Sequence, residues 1–340
     1  AAVVDMREEL LAGNRSMFSR LMRAGLEETF ARGEQALLFI NRRGFASFVL
    51  CRSCGHVPRC SSCEVSLTLH EPAELRCHYC DFRGELPAAC PRCGGPYLRP
   101  FGAGTQRVEQ EVRRLFPGVR TARMDLDTTS RKGAHARILS DFEAKRTDVL
   151  IGTQMIAKGL HFPEVTFVGV VSADTALHFP DFRAAERTFQ LLVQVAGRAG
   201  RGRGRGRVVI QTYAPDHYAI QAAARYETER FFSLEKAYRR RAGYPPFSAL
   251  VRCIWSGEEE EEVIAAAQEA GRRLAGELGP GAAEVLGPAP APIPKLKSRY
   301  RWHLLLRGER EAVTRAAMRI RDLGTGGVRL AVDVDPVGLL

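Results

Sequence analysis

Eight of the nine cysteines fall between Cys51 and Cys93, in four Cys-x-x-Cys pairs: Cys51/Cys54, Cys60/Cys63, Cys77/Cys80 and Cys90/Cys93. A two-residue gap lets both thiolates of a tight turn face one tetrahedral ion. All-sulfur sites suit zinc, which is borderline-soft and redox-inert. Four pairs make two closed sites and leave no open position for catalysis. Two Zn2+ ions per chain would therefore act structurally, holding rigid a small basic module that lacks a core of its own. The middle pairs, Cys60/Cys63 with Cys77/Cys80, have zinc-ribbon spacing. That leaves Cys51/Cys54 with Cys90/Cys93, a nested arrangement; sequential pairing, first with second and third with fourth, is the alternative. A dense disulfide framework belongs to small secreted chains, and this one is long and basic with no leading charged-then-apolar segment. With eight thiolates at hand, His56, His70 and His78 are not needed as ligands. Gly55, Ser61, Ser62, Gly94 and Gly95 supply the small residues that tight turns require. Cys253 has apolar neighbours in an expected strand and reads as a buried thiol.

A second chemistry resides in arginine. Gln194-Val195-Ala196-Gly197-Arg198-Ala199-Gly200-Arg201 has the form Q-x-x-G-R-x-x-R. Arginines three apart on a helix share a face. Together Arg198 and Arg201 could reach the γ-phosphate of a nucleotide held by a neighbouring lobe and stabilise its charge. The plainer reading is a basic helix end running into the Gly-Arg stretch 202–207. Upstream, Ile151 to Pro163 follows a buried apolar run. There Thr153 could donate to a DNA phosphate, and Gly159 would allow close backbone approach. At Phe101 to Glu109, backbone amides at a helix start beside Thr105 could hold phosphate.

These residues need a scaffold. Apolar periodicity predicts a helix over 16–32, a buried strand at 36–40, a helix at 105–116, a strand at 119–124 and a helix near 132–144. Strands at 148–152 and 165–171, a helix at 184–195 and a strand at 207–212 follow. Strands alternating with helices imply a mainly parallel sheet covered on both faces, interrupted by the cysteine region. After Thr212 the texture changes. One helical stretch over 219–241 leads into strand 249–255, helix 258–278, strand 283–286, a Pro-rich turn within 287–294, strand 301–306, helix 309–323 and strand 328–334. That order is β-α-β-β-α-β. The expected organisation is a lobe beginning at 1–50, a zinc-binding insertion at 51–96, the rest of the lobe at 97–213, and an α+β C-terminal domain at 214–340.

The net charge of +11 favours a phosphate-rich partner, because Lys and Arg release counterions from nucleic acid. The longest apolar stretch, Val165 to Ala173, is too short to span a bilayer. No membrane partner is expected. A chain opening on Ala1 reads as a piece of a longer protein.

The Q-x-x-G-R-x-x-R segment resembles motif VI of superfamily 2 helicases, and Ile151 to Pro163 resembles motif V. The Ala-Lys-Gly-x-x-Phe-Pro form, at Ala157 to Pro163, is typical of the PriA branch. Gly104-Thr105-Gln106-Arg107-Val108-Glu109, the motif IV-like Leu38 to Phe45, Asp174, and Pro180 to Arg187 extend the resemblance, as do Arg299-Tyr300-Arg301-Trp302 and Val332 to Pro336. With four cysteine pairs between motifs IV and V, the order is similar to that of PriA-type replication-restart helicases over essentially the whole chain. The resemblance implies a RecA-like lobe and a 3′-5′ ATP-dependent DNA helicase that restarts stalled forks and assembles the primosome. Arg198 and Arg201 would be the arginine fingers. Gln194, Gly197, Thr153, Gln154, Lys158, Gly159 and Thr105 would couple nucleotide to DNA. Implied partners are branched and single-stranded DNA, single-stranded DNA-binding protein and other primosome proteins, in the cytoplasm at the nucleoid. Arg299 to Trp302 mix charge with aromatics and could stack bases; a strand with one core Trp explains them as well.

No Gly-x-x-x-x-Gly-Lys-Ser/Thr loop and no Asp-Glu-x-His box occurs. ATP and Mg2+ are therefore expected only together with a first motor lobe, and this chain alone should not hydrolyse ATP. A non-enzymatic zinc-stabilised scaffold binding DNA or protein is the first rival. Another superfamily 2 repair helicase and a thiol redox protein are the others.

Overall fold

The computed structural model describes residues 1–339 apart from 41–46, 71–72, 102–103, 126, 132, 158–161, 200–205, 278–282 and 321–326. The chain begins with β1 (Ala2–Asp5), α1 (Met6–Leu11), α2 (Arg20–Ala31) and β2 (Gln35–Ile40). It then passes through β3 (Ser47–Cys51), β4 (Thr68–His70), β5 (Glu74–Arg76), β6 (Arg83–Glu85) and β7 (Leu98–Phe101). It continues as α3 (Thr105–Leu115), β8 (Thr121–Met124), α4 (Ala134–Glu143), β9 (Val149–Gly152), α5 (Gln154–Ala157) and β10 (Val165–Ser172). Next come α6 (Asp174–Leu177), α7 (Ala184–Ala196), β11 (Arg207–Thr212), α8 (Tyr218–Arg225) and α9 (Thr228–Ala242). The last elements are β12 (Ala249–Gly257), α10 (Glu260–Glu277), β13 (Ala283–Leu296), β14 (Arg299–Gly308), α11 (Arg310–Arg319) and β15 (Arg329–Val334).

Six strands form a wholly parallel sheet in the order β1-β11-β10-β2-β9-β8. Every residue of β2 is buried, which is what a central parallel strand needs. Its alternate side chains feed two cores. Leu37 and Phe39 join the side covered by α4, α7 and α8, while Ala36, Leu38 and Ile40 join the side covered by α2 and α3. The strand β1 and the helix after it carried no sequence expectation, because four residues are too few to show a period.

The cysteine region forms a five-stranded antiparallel sheet, β6-β5-β4-β3-β7. It does not stand apart. Its buried Val49, Val65, Leu75 and Tyr79 share one apolar cluster with Phe182, Tyr244, Leu286 and Leu305. The module borrows its core from both neighbours.

The four C-terminal strands pair antiparallel in the order β13-β14-β12-β15. With α10 and α11 packed on Trp255, Leu304 and Leu306, this is the split βαβ arrangement. Two expectations need correction. The single helix over 219–241 is two helices, because Tyr226 takes φ 59 and ends α8. Both helices pack on the lobe's core through Ala219, Ile220 and Phe231. The Pro-rich segment 287–294 is not a turn but part of β13. That strand is an edge, bonded to β14 alone, so prolines can turn their missing N–H outward. Register shifts between Leu286 and Ala289, and between Pro290 and Lys295, absorb the misfit.

Candidate metal centres and motor residues

Each Cys-x-x-Cys pair closes the same small loop. The residue after the second cysteine sits at positive φ and donates its N–H to the carbonyl of the first cysteine. Gly55 donates to Cys51 at 2.8 Å, Glu64 to Cys60 at 2.9 Å, Asp81 to Cys77 at 3.0 Å and Gly94 to Cys90 at 2.8 Å. The first cysteine's own N–H then bonds the carbonyl five residues on, at His56, Val65, Phe82 and Gly95. The turn aims both sulfurs the same way. Glycine was anticipated at two of these left-handed positions; Glu64 and Asp81 occupy the other two.

The sulfurs gather as Cys51/Cys54/Cys90/Cys93 and Cys60/Cys63/Cys77/Cys80, each set within 4.8 Å of one another. This is the nested grouping. Spacings are 3.7 Å for Cys51–Cys93, 3.6 Å for Cys54–Cys90 and 3.5 Å for Cys60–Cys80. A disulfide needs about 2.05 Å. The edges of a sulfur tetrahedron about an ion with ~2.3 Å bonds are roughly 3.8 Å, so both donor sets fit a tetrahedral metal. Burial pushes the Cys54 thiol up to about 12. Thiolates this crowded persist together only around a cation.

The histidines belong to neither set. The His70 and His78 Nε2 atoms lie 3.2 Å apart, and His78 Nδ1 lies 2.9 Å from the Pro290 carbonyl. Burial lowers His78 to about 4, so it is neutral there. His303 bonds the His78 carbonyl in turn. Histidine thus joins the module to the C-terminal sheet.

Other contacts fix the module's pose. Arg52 Nε donates to the Tyr213 hydroxyl at 3.1 Å, and Phe182 N donates to the Tyr79 hydroxyl at 3.1 Å. Gly55 lies so close to the lobe that a Cβ there would be 2.2 Å from the Tyr213 carbonyl oxygen. The Pro180 to Arg187 segment also serves as a clamp. Arg187 pairs with buried Asp181 at 2.9 Å, Arg183 and Arg187 donate to the Val337 carbonyl, and Glu186 pairs with Arg239 at 2.6 Å.

The residues expected to couple nucleotide to DNA are placed unevenly. The helix α7 ends at Ala196 with Gly197 as its cap, so Arg198 lies in the turn beyond it rather than on a helical face shared with Arg201. Arg198 is half-buried and Gln194 is exposed. Arg201, Lys158 and Gly159 lie outside the described residues. Thr153 is half-buried after β9, its carbonyl accepting from Ile156 N at 3.1 Å, and Gln154 opens α5. That short helix packs against α7, with Ile156 and Val195 in one cluster. Thr105 is fully buried at the start of α3, and its hydroxyl donates to Asp125 rather than facing outward. Trp302 is buried in the C-terminal core with the Arg76 guanidinium 5.6 Å from its ring centroid, so the core-Trp reading of Arg299 to Trp302 holds.

Asp174 is a site that sequence reasoning only touched. It is wholly buried and accepts from Tyr213 N at 3.0 and 3.1 Å and from the Thr212 hydroxyl at 3.0 Å. Desolvation raises it to about 6 despite these bonds. No helix among the described residues is long and apolar enough to cross a membrane.

Residues 240–337 match the family described as primosomal protein N C-terminal domain, and 101–203 match the helicase conserved C-terminal domain. The replication restart protein PriA of Bacillus subtilis (strain 168) is 47% identical over 342 residues, covering 98% of this chain and 42% of that protein. PriA of Synechocystis sp. is 45% identical over 346 residues, covering 99% and 41%. This chain therefore spans less than half the length of those two relatives. A crystal structure of the Pyrococcus furiosus Hef helicase domain aligns at TM-score 0.29 and 15% identity, over 62% of this chain and 27% of that one.

Proposed function

Because the chain belongs to the PriA family of replication restart proteins, we propose that it supplies half of an ATP-dependent 3′-5′ DNA helicase that restarts stalled forks and assembles the primosome. Its parallel-sheet lobe is the second lobe of the motor. Nucleotide is cradled by a first lobe carrying the phosphate loop and magnesium ligand. Arg198, with Arg201, reaches across to the γ-phosphate, where a guanidinium fork neutralises charge developing in the transition state. Thr153, Gln154, Lys158 and Gly159 relay that state to the DNA backbone. Thr105 supports this surface from within, since its hydroxyl is held by Asp125.

The observation that carries this reading is the packing of α5 against α7, which joins the motif V-like segment to the helix leading into Arg198. A change at either segment is felt by the other. The cysteine sets hold zinc and keep the module rigid, so that it guides DNA strands and docks single-stranded DNA-binding protein and primosome proteins.

The test is Arg198→Ala in a protein carrying both lobes. DNA-stimulated ATP turnover should fall by about 10³-fold while nucleotide binding persists. Unchanged turnover would remove the motor role and leave a zinc-stabilised scaffold.

A further inference from the structure

The strands β2 and β10 are neighbours, yet the chain leaves them in opposite directions: from β2 toward β8 at one edge of the sheet, and from β10 toward β11 on the other side. In open parallel sheets such a switch point opens a crevice at the carboxyl ends of the strands, where ligands bind. Here a cavity of about 210 Å3 lies against the ends of β2, β10 and β11, at Ile40, Ser172 and Gln211. Its remaining wall includes β7, the cysteine module's first loop, the start of α3, and Met6, Arg15 and Met17 from α1 and the loop after it.

Among the described residues, four arginines line it: Arg15, Arg52, Arg99 and Arg107. Among the described residues none of the four forms an ion pair. Arg52 bonds the Tyr213 hydroxyl and Arg99 its neighbour's carbonyl, both neutral acceptors. Among the described lining residues the one carboxylate, Asp174, is buried and turned onto Tyr213 N and the Thr212 hydroxyl. Unneutralised guanidinium forks around a crevice match phosphate oxygens. The apolar side of the cavity includes Phe101 and Tyr213, edge-to-face at 5.5 Å, which offer a surface to an unstacked base.

We propose that this cavity binds a phosphate of a DNA single strand, with the adjoining base against Phe101. It rests on DNA being the partner of the lobe, but not on ATP turnover. Because Arg52 and Arg99 come from the cysteine module and Arg15 and Arg107 from the lobe, a strand held there spans the two.

The test is fluorescence anisotropy of the zinc-loaded chain with a labelled oligo-dT at ~50–200 mM salt. Arg15 and Arg107 are exposed, so Arg15→Ala/Arg107→Ala should fold normally, checked by an unchanged unfolding midpoint. Affinity should drop roughly tenfold or more, and the slope of log K against log salt should flatten by about 0.7, the value for one single-strand phosphate no longer neutralised. Arg272→Ala/Arg273→Ala, on the far helix α10, removes equal charge and should leave both quantities unchanged. A double variant that binds like wild type, or no better distinguished than that control, overturns the proposal. So does a wild-type chain that binds no oligomer. If dTMP or inorganic phosphate saturates the site while oligomer does not, the site belongs to a free nucleotide or phosphate instead. None of these outcomes depends on the Arg198 experiment.

Discussion

The hydroxyl of Tyr244, just ahead of the C-terminal sheet, donates to the carbonyl of Cys63 at 2.9 Å. The same ring stacks on Phe182 with centroids 5.0 Å apart, and the Arg307 guanidinium lies 5.1 Å from it. One buried side chain thus touches a Cys-x-x-Cys turn, the lobe and the C-terminal strands. The units are joined through a shared core rather than through linkers.

Tyr244→Phe keeps the ring and removes one buried hydrogen bond, leaving the Cys63 carbonyl short of a donor. The expected cost is about 1 kcal/mol, against ~3–5 kcal/mol for Tyr244→Ala, which also opens a cavity. Urea unfolding of both variants checks this. Equal costs would mean that the hydroxyl, not the ring, holds the junction.

Metal loss should be stepwise. Cys93 is exposed and Cys54 half-buried, whereas in the second set only Cys80 is not fully buried. A thiol-modifying reagent followed by a colorimetric chelator should release about one zinc equivalent quickly and one slowly. Loss of the second should unfold the module and, through the shared core, lower the stability of the rest. Two equivalents leaving in a single phase would contradict the burial difference.

Asp174 gives a pH signature. Burial raises its folded-state value from 3.8 to about 6, so the fold prefers the protonated acid. The associated stability is present at low pH and lost as pH rises through about 6. Asp174→Asn keeps an acceptor for Tyr213 N without a charge. Relative to wild type it should gain stability as pH rises from about 4 to about 7, by up to roughly 3 kcal/mol. Paired unfolding curves across that range decide it; a difference that does not change with pH refutes the assignment.

What the sequence disclosed depended on how local the cause was. A two-residue gap between cysteines constrains one turn, so the pairs were legible and the zinc-ribbon spacing indicated nesting. Glu64 and Asp81 in left-handed turns were not, because the bond to the first cysteine's carbonyl overrides their intrinsic preference. Short, nearly continuous apolar runs revealed β2, β9 and β10. The prolines of β13 misled, because a strand bonded on one side tolerates residues that a central strand would reject. The spacing of Arg198 and Arg201 implied a common helical face only if α7 continued past Ala196, and it stops there. Arg15, Arg52, Arg99 and Arg107 are scattered in sequence and converge only around the carboxyl ends of β2 and β10. No linear pattern could have grouped them.

The last prediction concerns the ion cluster that fastens α9 to α7. Arg239 donates to Glu235 at 2.7 Å and to Glu186 at 2.6 Å, and it lies 5.3 Å from the Phe182 ring centroid. Both Arg239 and Glu235 are buried, and Tyr218 donates a further bond to Glu235 at 2.6 Å. Removing the cation alone leaves a carboxylate in an apolar junction, so Arg239→Met should cost about 3–5 kcal/mol. Adding Glu235→Gln removes the stranded charge while keeping an acceptor for Tyr218. That double variant should therefore be more stable than Arg239→Met alone, with a coupling of roughly 0.5–3 kcal/mol in a double-mutant cycle. If the second substitution lowers stability further, the cluster acts by packing and not by charge.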